Sequence, residues 1–259
     1  MKKIFSLVLL APLLFTNACQ FSSDKGIYFK IAGFAQGTTY HITYELKDSL
    51  NLQPQIDSIL NAFDKSLSSY DTCSIISKIN RNEDVLVDNL FETVFKKSEE
   101  VNKSSKGMFD ITVMPLVNAW GFGPGTGQNV NDINIDSLLE FVGMEKVKIE
   151  NKRIIKSDPR VQLDVNAIAQ GFSVDVVAKF LENLGSENFM VEIGGEIRAV
   201  GVNQSGKVWR IGIDKPEFGN MVPGADLEAN KKKKNKSLAT SGNYRKFYEE
   251  NGIKYTHSI

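Results

Sequence analysis

Histidine and cysteine are scarce in this sequence: His41 and His257 are its two histidines, and Cys19 and Cys73 its two cysteines, in 259 residues. That scarcity argues against a zinc centre of His and Cys ligands, and it leaves no disulfide framework once Cys19 is accounted for. It also argues against Cys73 as a histidine-supported nucleophile, so Cys73 is expected to be a small packing residue. Any metal would then be a hard cation held by oxygens, Mg²⁺ foremost. An excess of either charge is missing too, since basic and acidic residues both number 31. With no basic surplus to neutralise phosphates, nucleic acid is not expected as a partner. The run Lys231–Lys234 lies among Pro, Gly and Asn and reads as a solvated loop. After residue 19 no apolar run is long enough to cross a bilayer as a helix.

The one long apolar run is at the start. Lys2 and Lys3 precede Ile4–Phe15, which is broken only by Ser6 and Pro12, and Ala18 stands before Cys19. A run of this length suits the core of an export signal rather than a membrane span. The expected organisation is a signal peptide over 1–18, lipid attachment at Cys19, and a polar tether over 19–26. The mature protein would then face the periplasm or cell exterior, anchored to a membrane of the cell envelope. The position three before the cysteine holds Thr16 rather than the usual aliphatic residue. Loss of Lys2 and Lys3 leaves 29 basic against 31 acidic side chains.

The rest, 27–259, is long enough to bury a substantial core. Residues 27–31 and 38–44 alternate like strands, punctuated by Gly33 and Gly37. Pro54 opens a helix with Ile56, Ile59, Leu60, Phe63 and Leu67 on one face, and a second helix carries Phe91, Val94, Phe95 and Val101 up to Gly107. Residues 108–113 are expected to form a strand ended by Pro115. A glycine-rich loop over 121–127 follows Trp120, and a short helix through Ile135, Leu138, Leu139 and Val142 stops at Gly143. Residues 147–149 and 153–156 read as a hairpin, and 161–165 as another strand. Ile168, Phe172, Val176, Phe180 and Leu184 recur every fourth residue as a helix, with Gly185 beyond it. Strands return at 189–193, 198–202, 209–213 and 255–259. Strands and helices mix without regular alternation, which predicts an α+β fold of mixed sheets with packed helices.

The best-formed cluster runs from Leu163 to Gly171, where a strand delivers Asp164 directly to the start of a helix. First-turn N–H groups with the positive helix end behind them suit a pyrophosphate, and Asp164 with nearby carbonyls could face a bridging metal. On pattern alone, Asp164 or Asn166 as a helix cap is the simpler reading. Gly194-Gly195-Glu196 permits a tight turn or a close approach by a ligand, and Thr240–Arg245 is a polar turn carrying a cation. Trp120–Gly123 could be a packed aromatic corner.

In order along the chain, these pieces resemble the ApbE family of FAD:protein FMN transferases. Gln36-Gly37-Thr38-Thr39-Tyr40 looks like its N-terminal Gly-Thr-Thr-Tyr strand. Leu67-Ser68-Ser69-Tyr70 with Ser74–Asn80, then Gly107–Val113 with Pro115-Leu116-Val117 and Trp120–Gly123, resemble its next signatures. Asp164–Gly171, Ile193–Glu196 and Thr240–Arg245 complete the set. The resemblance covers about residues 27–259 and implies one flavin transferase domain with a T-fold-related architecture.

It also implies a reaction: FAD is split at its pyrophosphate, AMP leaves, and FMN is joined to a Thr or Ser hydroxyl of a target protein, an exported subunit of a membrane redox complex. Mg²⁺ would neutralise phosphate charge. Carried over by motif, Gln36, Tyr70, Met108, Phe109, Asp110, Asp164 and Gln170 line the FAD site, and Ala167 lends its carbonyl to Mg²⁺. The family often has Lys or Glu where Gln170 stands. His257 is the expected proton acceptor for the incoming hydroxyl, and Arg245 offsets phosphate charge. In the family the histidine strand runs on into an Asp-Pro-x-Thr-Gly segment with further metal ligands. The sequence here stops at Ile259, so residues 1–259 are expected to bind Mg²⁺ poorly. The alternatives are a FAD pyrophosphatase, in which water replaces the hydroxyl, and a flavin-binding lipoprotein without catalysis.

Overall fold

The computed structural model of the protein describes residues 26–48, 50–124, 134–214, 223–228, 235–242, 247–250 and 252–256. Strands β1 (Ile27–Ala35) and β2 (Thr38–Leu46) form an antiparallel hairpin with Ala35 opposite Thr38. Its two-residue turn, Gln36 (φ 53°) and Gly37 (φ 70°), has both residues left-handed, as the twist of a tight hairpin requires. Gly33 does not punctuate the strand but lies inside it. A Cβ there would sit 2.6 Å from the Tyr40 ring, so the missing side chain makes room for that buried tyrosine.

Helix α1 (Gln53–Leu67) starts at Pro54 as expected, and α2 (Ile75–Asn80) follows, capped by the Ser74 hydroxyl on the Ser77 N–H at 3.1 Å. Helix α3 (Asn89–Ser104) is capped by Asp88. The strand expected over 108–113 is absent. Asp110 turns the chain instead, its Oδ1 accepting from the Thr112 N–H (2.8 Å) and hydroxyl (2.6 Å). Pro115 then opens α4 (Met114–Ala119), where a missing N–H costs nothing.

Helix α5 (Ile135–Leu139) leads to the hairpin of β3 (Val147–Glu150) and β4 (Arg153–Lys156). Residues 161–165 alternate in burial like a strand, yet they form no ladder beyond an isolated bridge from Gln162 to Val113. Their backbone bonds go elsewhere. Asn80 brackets Leu163, donating to its carbonyl at 2.9 Å and accepting its N–H at 2.7 Å, and Asp164 N–H donates to the Ile111 carbonyl at 2.7 Å. These bonds satisfy the Leu163 N–H and carbonyl and the Asp164 N–H, which a neighbouring strand would otherwise do.

Helix α6 (Asn166–Asn183) precedes β5 (Phe189–Ile193), β6 (Glu196–Val200), β7 (Arg210–Asp214), β8 (Pro223–Glu228), β9 (Asn235–Leu238), β10 (Phe247–Glu250) and β11 (Ile253–Thr256). The main sheet has the order β1-β2-β5-β6-β9 with every pair antiparallel; β7–β8 and β10–β11 are separate hairpins. Ile253–Thr256 lies earlier than the expected 255–259, and residues 257–259 fall outside the described set. The resulting fold is α+β, as the mixed pattern predicts.

Two apolar clusters meet along α1 and α6. One fills the space between the sheet (Tyr40, Ile42, Tyr44, Phe189, Val191) and Val174, Val177, Ala178 and Leu181 of α6. The other gathers Phe63, Ile76, Phe91, Phe95, Val161 and Leu163, with Ile168, Phe172 and Val176 of α6 against it. The every-fourth-residue stripe is therefore not the buried face. At about 100° per residue such a stripe drifts by about 40° per step, and by about 160° from Ile168 to Leu184. Leu184 accordingly ends up exposed. Cys73, expected to pack, is exposed as well.

Candidate functional site

Turns and helix ends converge above the edge where the sheet meets α6. Gln36 is a non-glycine residue at φ 53°, a conformation that costs energy unless its surroundings hold it. They do, because its Oε1 accepts from the Ser173 hydroxyl of α6 at 3.2 Å. Asp64 near the end of α1 is beside it. Burial pushes the Asp64 carboxyl up, the Gln36 backbone N–H pulls it down, and nearby Asp71 raises it again.

The β5–β6 turn closes over the same helix. Gly194 is left-handed at φ 59°, and its N–H donates to the Thr39 carbonyl at 3.0 Å. A Cβ on Gly194 would lie 1.8 Å from Gln170 Nε2 and 2.7 Å from Thr38 Cγ2. Gln170 donates from that nitrogen to the Ile193 carbonyl at 3.2 Å, so its amide ties α6 to the turn. The neighbouring Gly195 N–H is held by Glu192 Oε1 at 2.8 Å, and the other oxygen of Glu192 meets His41 Nδ1 at 2.8 Å. His41 thus braces the turn from the sheet. This link was missed in the sequence, where nothing joins positions 41 and 192 before the strands are paired.

Asp164 stands where the 161–165 segment enters α6. One of its oxygens accepts from the Asn166 N–H at 2.7 Å, an Asx turn rather than the helix cap, because the cap position is Val165 and has no side-chain bond. Burial pushes the Asp164 carboxyl above the ordinary range, against the pull of the Asn166 groups, and it forms no ion pair among the described residues. Tyr70 is close enough for Asp164 to raise its hydroxyl, after burial as the larger cause. Ser69, next to it, accepts from Asn166 Nδ2 at 3.5 Å. Ala167 is exposed in the first helical turn with no side chain to obstruct an approach.

Tyr70 is left to solvent here at 62 % exposure, and Met108, on the turn after α3, is 91 % exposed. The Tyr70 hydroxyl donates to the Phe122 carbonyl at 3.3 Å, which fixes the ring while leaving it open. Trp120 and Phe122 form the aromatic corner suggested by the sequence. Their rings lie 5.7 Å from Tyr255 and 5.4 Å from Tyr248, and the Tyr248 hydroxyl donates to the Trp120 carbonyl at 3.1 Å. The β10–β11 hairpin, which the sequence pattern did not reveal, therefore packs beside Tyr70's support.

Gln36, Tyr70, Asp164, Ala167 and Gln170 are thus linked through α6 and the two turns. Asp110 has a different situation. Besides Thr112, it accepts from the Met144 N–H at 3.0 Å, so its carboxylate is engaged within the protein. Phe109 packs partly against the second cluster while its carbonyl accepts from Asn102 at 2.7 Å, which leaves Met108 at the tip of a braced turn. Arg245, His257 and Cys19 lie outside the described residues.

The donors suit a hard cation in part. Among the described residues no group of three or more His, Cys, Asp or Glu could enclose a metal. Asp164, desolvated and without an ion pair there, and the exposed first turn of α6 instead fit Mg²⁺ in its usual manner. That ion takes one or two carboxylates and completes its shell from water and substrate phosphate.

Known proteins fit the same frame. The ApbE family model matches residues 36–259. A FAD:protein FMN transferase of Vibrio cholerae is 37% identical over 262 residues, covering 98% of this chain and 76% of that protein. The FAD:protein FMN transferase of Haemophilus influenzae is 36% identical and covers 100% of this chain and 78% of its own length. Among solved structures, the flavin transferase ApbE of Vibrio cholerae superposes with a TM-score of 0.78 at 35% identity, over 90% of this chain and 76% of that one. The ApbE protein of Thermotoga maritima gives 0.77 at 25% identity over the same shares.

Proposed function

The chain belongs to the ApbE family, and from that premise we propose that it is a FAD:protein FMN transferase acting on a Thr or Ser hydroxyl of an exported protein. The observation that carries this reading is the junction of Tyr70, Asp164 and the open first turn of α6 beneath the Gly194–Gly195 turn. It offers a flat aromatic face, a carboxylate and a positive helix end in one place, which is what a flavin joined to a pyrophosphate requires.

In this reading Tyr70 and Met108 receive the flavin ring, and Gln36 and Gln170 hold the turns that shape its pocket. The pyrophosphate lies at the first turn of α6, where the positive end of the helix offsets its charge. The acceptor hydroxyl oxygen forms a new bond to the FMN phosphorus as the bond to the AMP oxygen breaks, and AMP leaves with the pyrophosphate's bridging oxygen. The hydroxyl proton passes to His257, whose imidazole suits a proton acceptor. Arg245 offsets phosphate charge. Bound Mg²⁺ supplies charge neutralisation at the phosphates, with Asp164 and the Ala167 carbonyl as its protein contacts. The protein's share is positioning and electrostatics rather than covalent chemistry.

We further propose that the protein works outside the cytoplasm, lipid-anchored at Cys19, on a subunit of a membrane redox complex; the apolar run before Cys19 supports this. The deciding assay mixes the protein with FAD, Mg²⁺ and a candidate acceptor. A gain of FMN mass on the acceptor with release of AMP is the expected result. Free FMN with no acceptor gain would mean hydrolysis, and intact bound FAD would mean a binding protein. His257→Ala is expected to spare FAD binding and abolish transfer; unchanged transfer removes His257 from the mechanism.

A further inference from the structure

The β3–β4 hairpin and the segment after α2 line an open pocket of about 380 Å³ that shares no residue with the flavin site. Its apolar lining comes from Ile79, Val85, Ile154, Ile155 and Pro159. Lys156 is partly buried in its wall and donates to Asn82 Oδ1 at 2.8 Å. Asn82 is itself fixed, at φ 61° and by a bond from Nδ2 to the Pro159 carbonyl at 3.1 Å. An ammonium has three donors, and one neutral amide oxygen answers only one of them.

The other charges that line the pocket are already matched. Arg153 meets Asp84 at 2.6 Å, and Glu83 meets Arg81 at 2.8 Å. Lys156 forms no ion pair among the described residues. Burial holds its ammonium down to about 8, with no acid close enough to offset the penalty. The wall therefore presents a desolvated cation lacking an anion, beside an apolar floor large enough for a small molecule. Glu83 and Asp84 at the pocket disfavour a dianion such as phosphate, which one ammonium could not balance.

We propose that this pocket binds a small organic monocarboxylate, its carboxylate on the Lys156 ammonium and its apolar body against Ile79, Val85 and Ile154. The site is independent of flavin transfer. Affinity should fall as pH rises through about 8, where Lys156 gives up its proton, while the paired Asp84 and Arg153 keep their charges. A six-carbon acid with one ion pair would have a Kd on the order of 1 mM.

The test uses hexanoate as probe on the whole protein. Lysine acylation is followed by peptide mass spectrometry across pH 6–11, with exposed Lys30 as internal reference. Lys156 should reach half its limiting reactivity near pH 8. Saturating hexanoate should slow its labelling about fivefold and move that midpoint upward. Hexanamide and inorganic phosphate should do neither. Lys156→Met and Lys156→Gln should both abolish the calorimetric signal of hexanoate and leave FAD turnover unchanged. Labelling of Lys156 like Lys30, or labelling near pH 8 that hexanoate does not slow, overturns the proposal.

Discussion

Asp164 is under two opposed demands. Burial penalises its charge, and the Asn166 N–H only partly offsets that penalty, so its carboxyl is raised in the folded protein. A carboxyl raised by folding favours the folded state when protonated, and that contribution is lost as pH climbs through the raised value. At neutral pH the ionised group therefore works against stability until a cation joins it. Asp164→Asn should melt higher without ligands, by ~2–4 °C for each kcal/mol of burial penalty relieved. The same change should lower transfer by on the order of 10²-fold or more. In the wild type, Mg²⁺ binding should weaken as pH drops toward the raised value of the metal-free protein, and the variant should lack that dependence. A lower melting temperature combined with full activity would refute this account. Gly194 makes a second test at this scale. Alanine there combines a left-handed backbone with a clash on Gln170, at a cost of about 1–3 kcal/mol for the backbone alone. Its expected signature is a raised KM for FAD in steady-state assays, because the displaced amide is the tie between α6 and the turn.

Among the elements, those with local causes were legible in the sequence. Pro54 marks the start of α1, and the period of Ile56, Leu60 and Phe63 is the face that is buried. The β3–β4 hairpin also follows from nearby residues. Elements whose partners are distant were misread. Residues 161–165 alternate because Val161, Leu163 and Val165 enter the core, but Asn80 and Ile111 take the bonds a neighbouring strand would take. Helix α6 misleads because both of its sides are apolar, with Val177 and Leu181 toward the sheet and Phe172 toward the second cluster. Of the site, the turn at Gly194–Gly195 and the strand-like delivery of Asp164 could be read; the engagement of Asp110 with Met144 could not, since it depends on tertiary contact. Asn80→Ala tests the positioning role of this arrangement. It removes both bonds to Leu163 and strands buried polar groups, at about 1–3 kcal/mol. If Asn80 aims Asp164, kcat should fall more than tenfold with the KM for FAD little changed, measured where the variant is still folded. Asn80→Asp keeps the acceptor for the Leu163 N–H and should recover part of that loss. Equal losses in both variants would make Asn80 merely structural.

At the scale of the whole molecule, an anchor at Cys19 would bear on kinetics rather than on chemistry. Strand β1 begins a few residues after Cys19, so a domain anchored there would be kept close to the membrane. An acceptor hydroxyl on a subunit in the same membrane would then be met in two dimensions, at an effective concentration set by the tether instead of by bulk dilution. The bond-making groups lie elsewhere in the chain and do not depend on that anchor. Cys19→Ser separates the two contributions. In cells it should move the protein from the membrane fraction to the soluble one and slow flavinylation of a membrane acceptor by about 10- to 100-fold. With a soluble acceptor fragment in a purified system, the rates of wild type and variant should coincide. If the variant stays with the membrane, the anchor is not at Cys19. If it becomes soluble and modifies the membrane acceptor as fast as before, anchoring has no role in bringing the two proteins together.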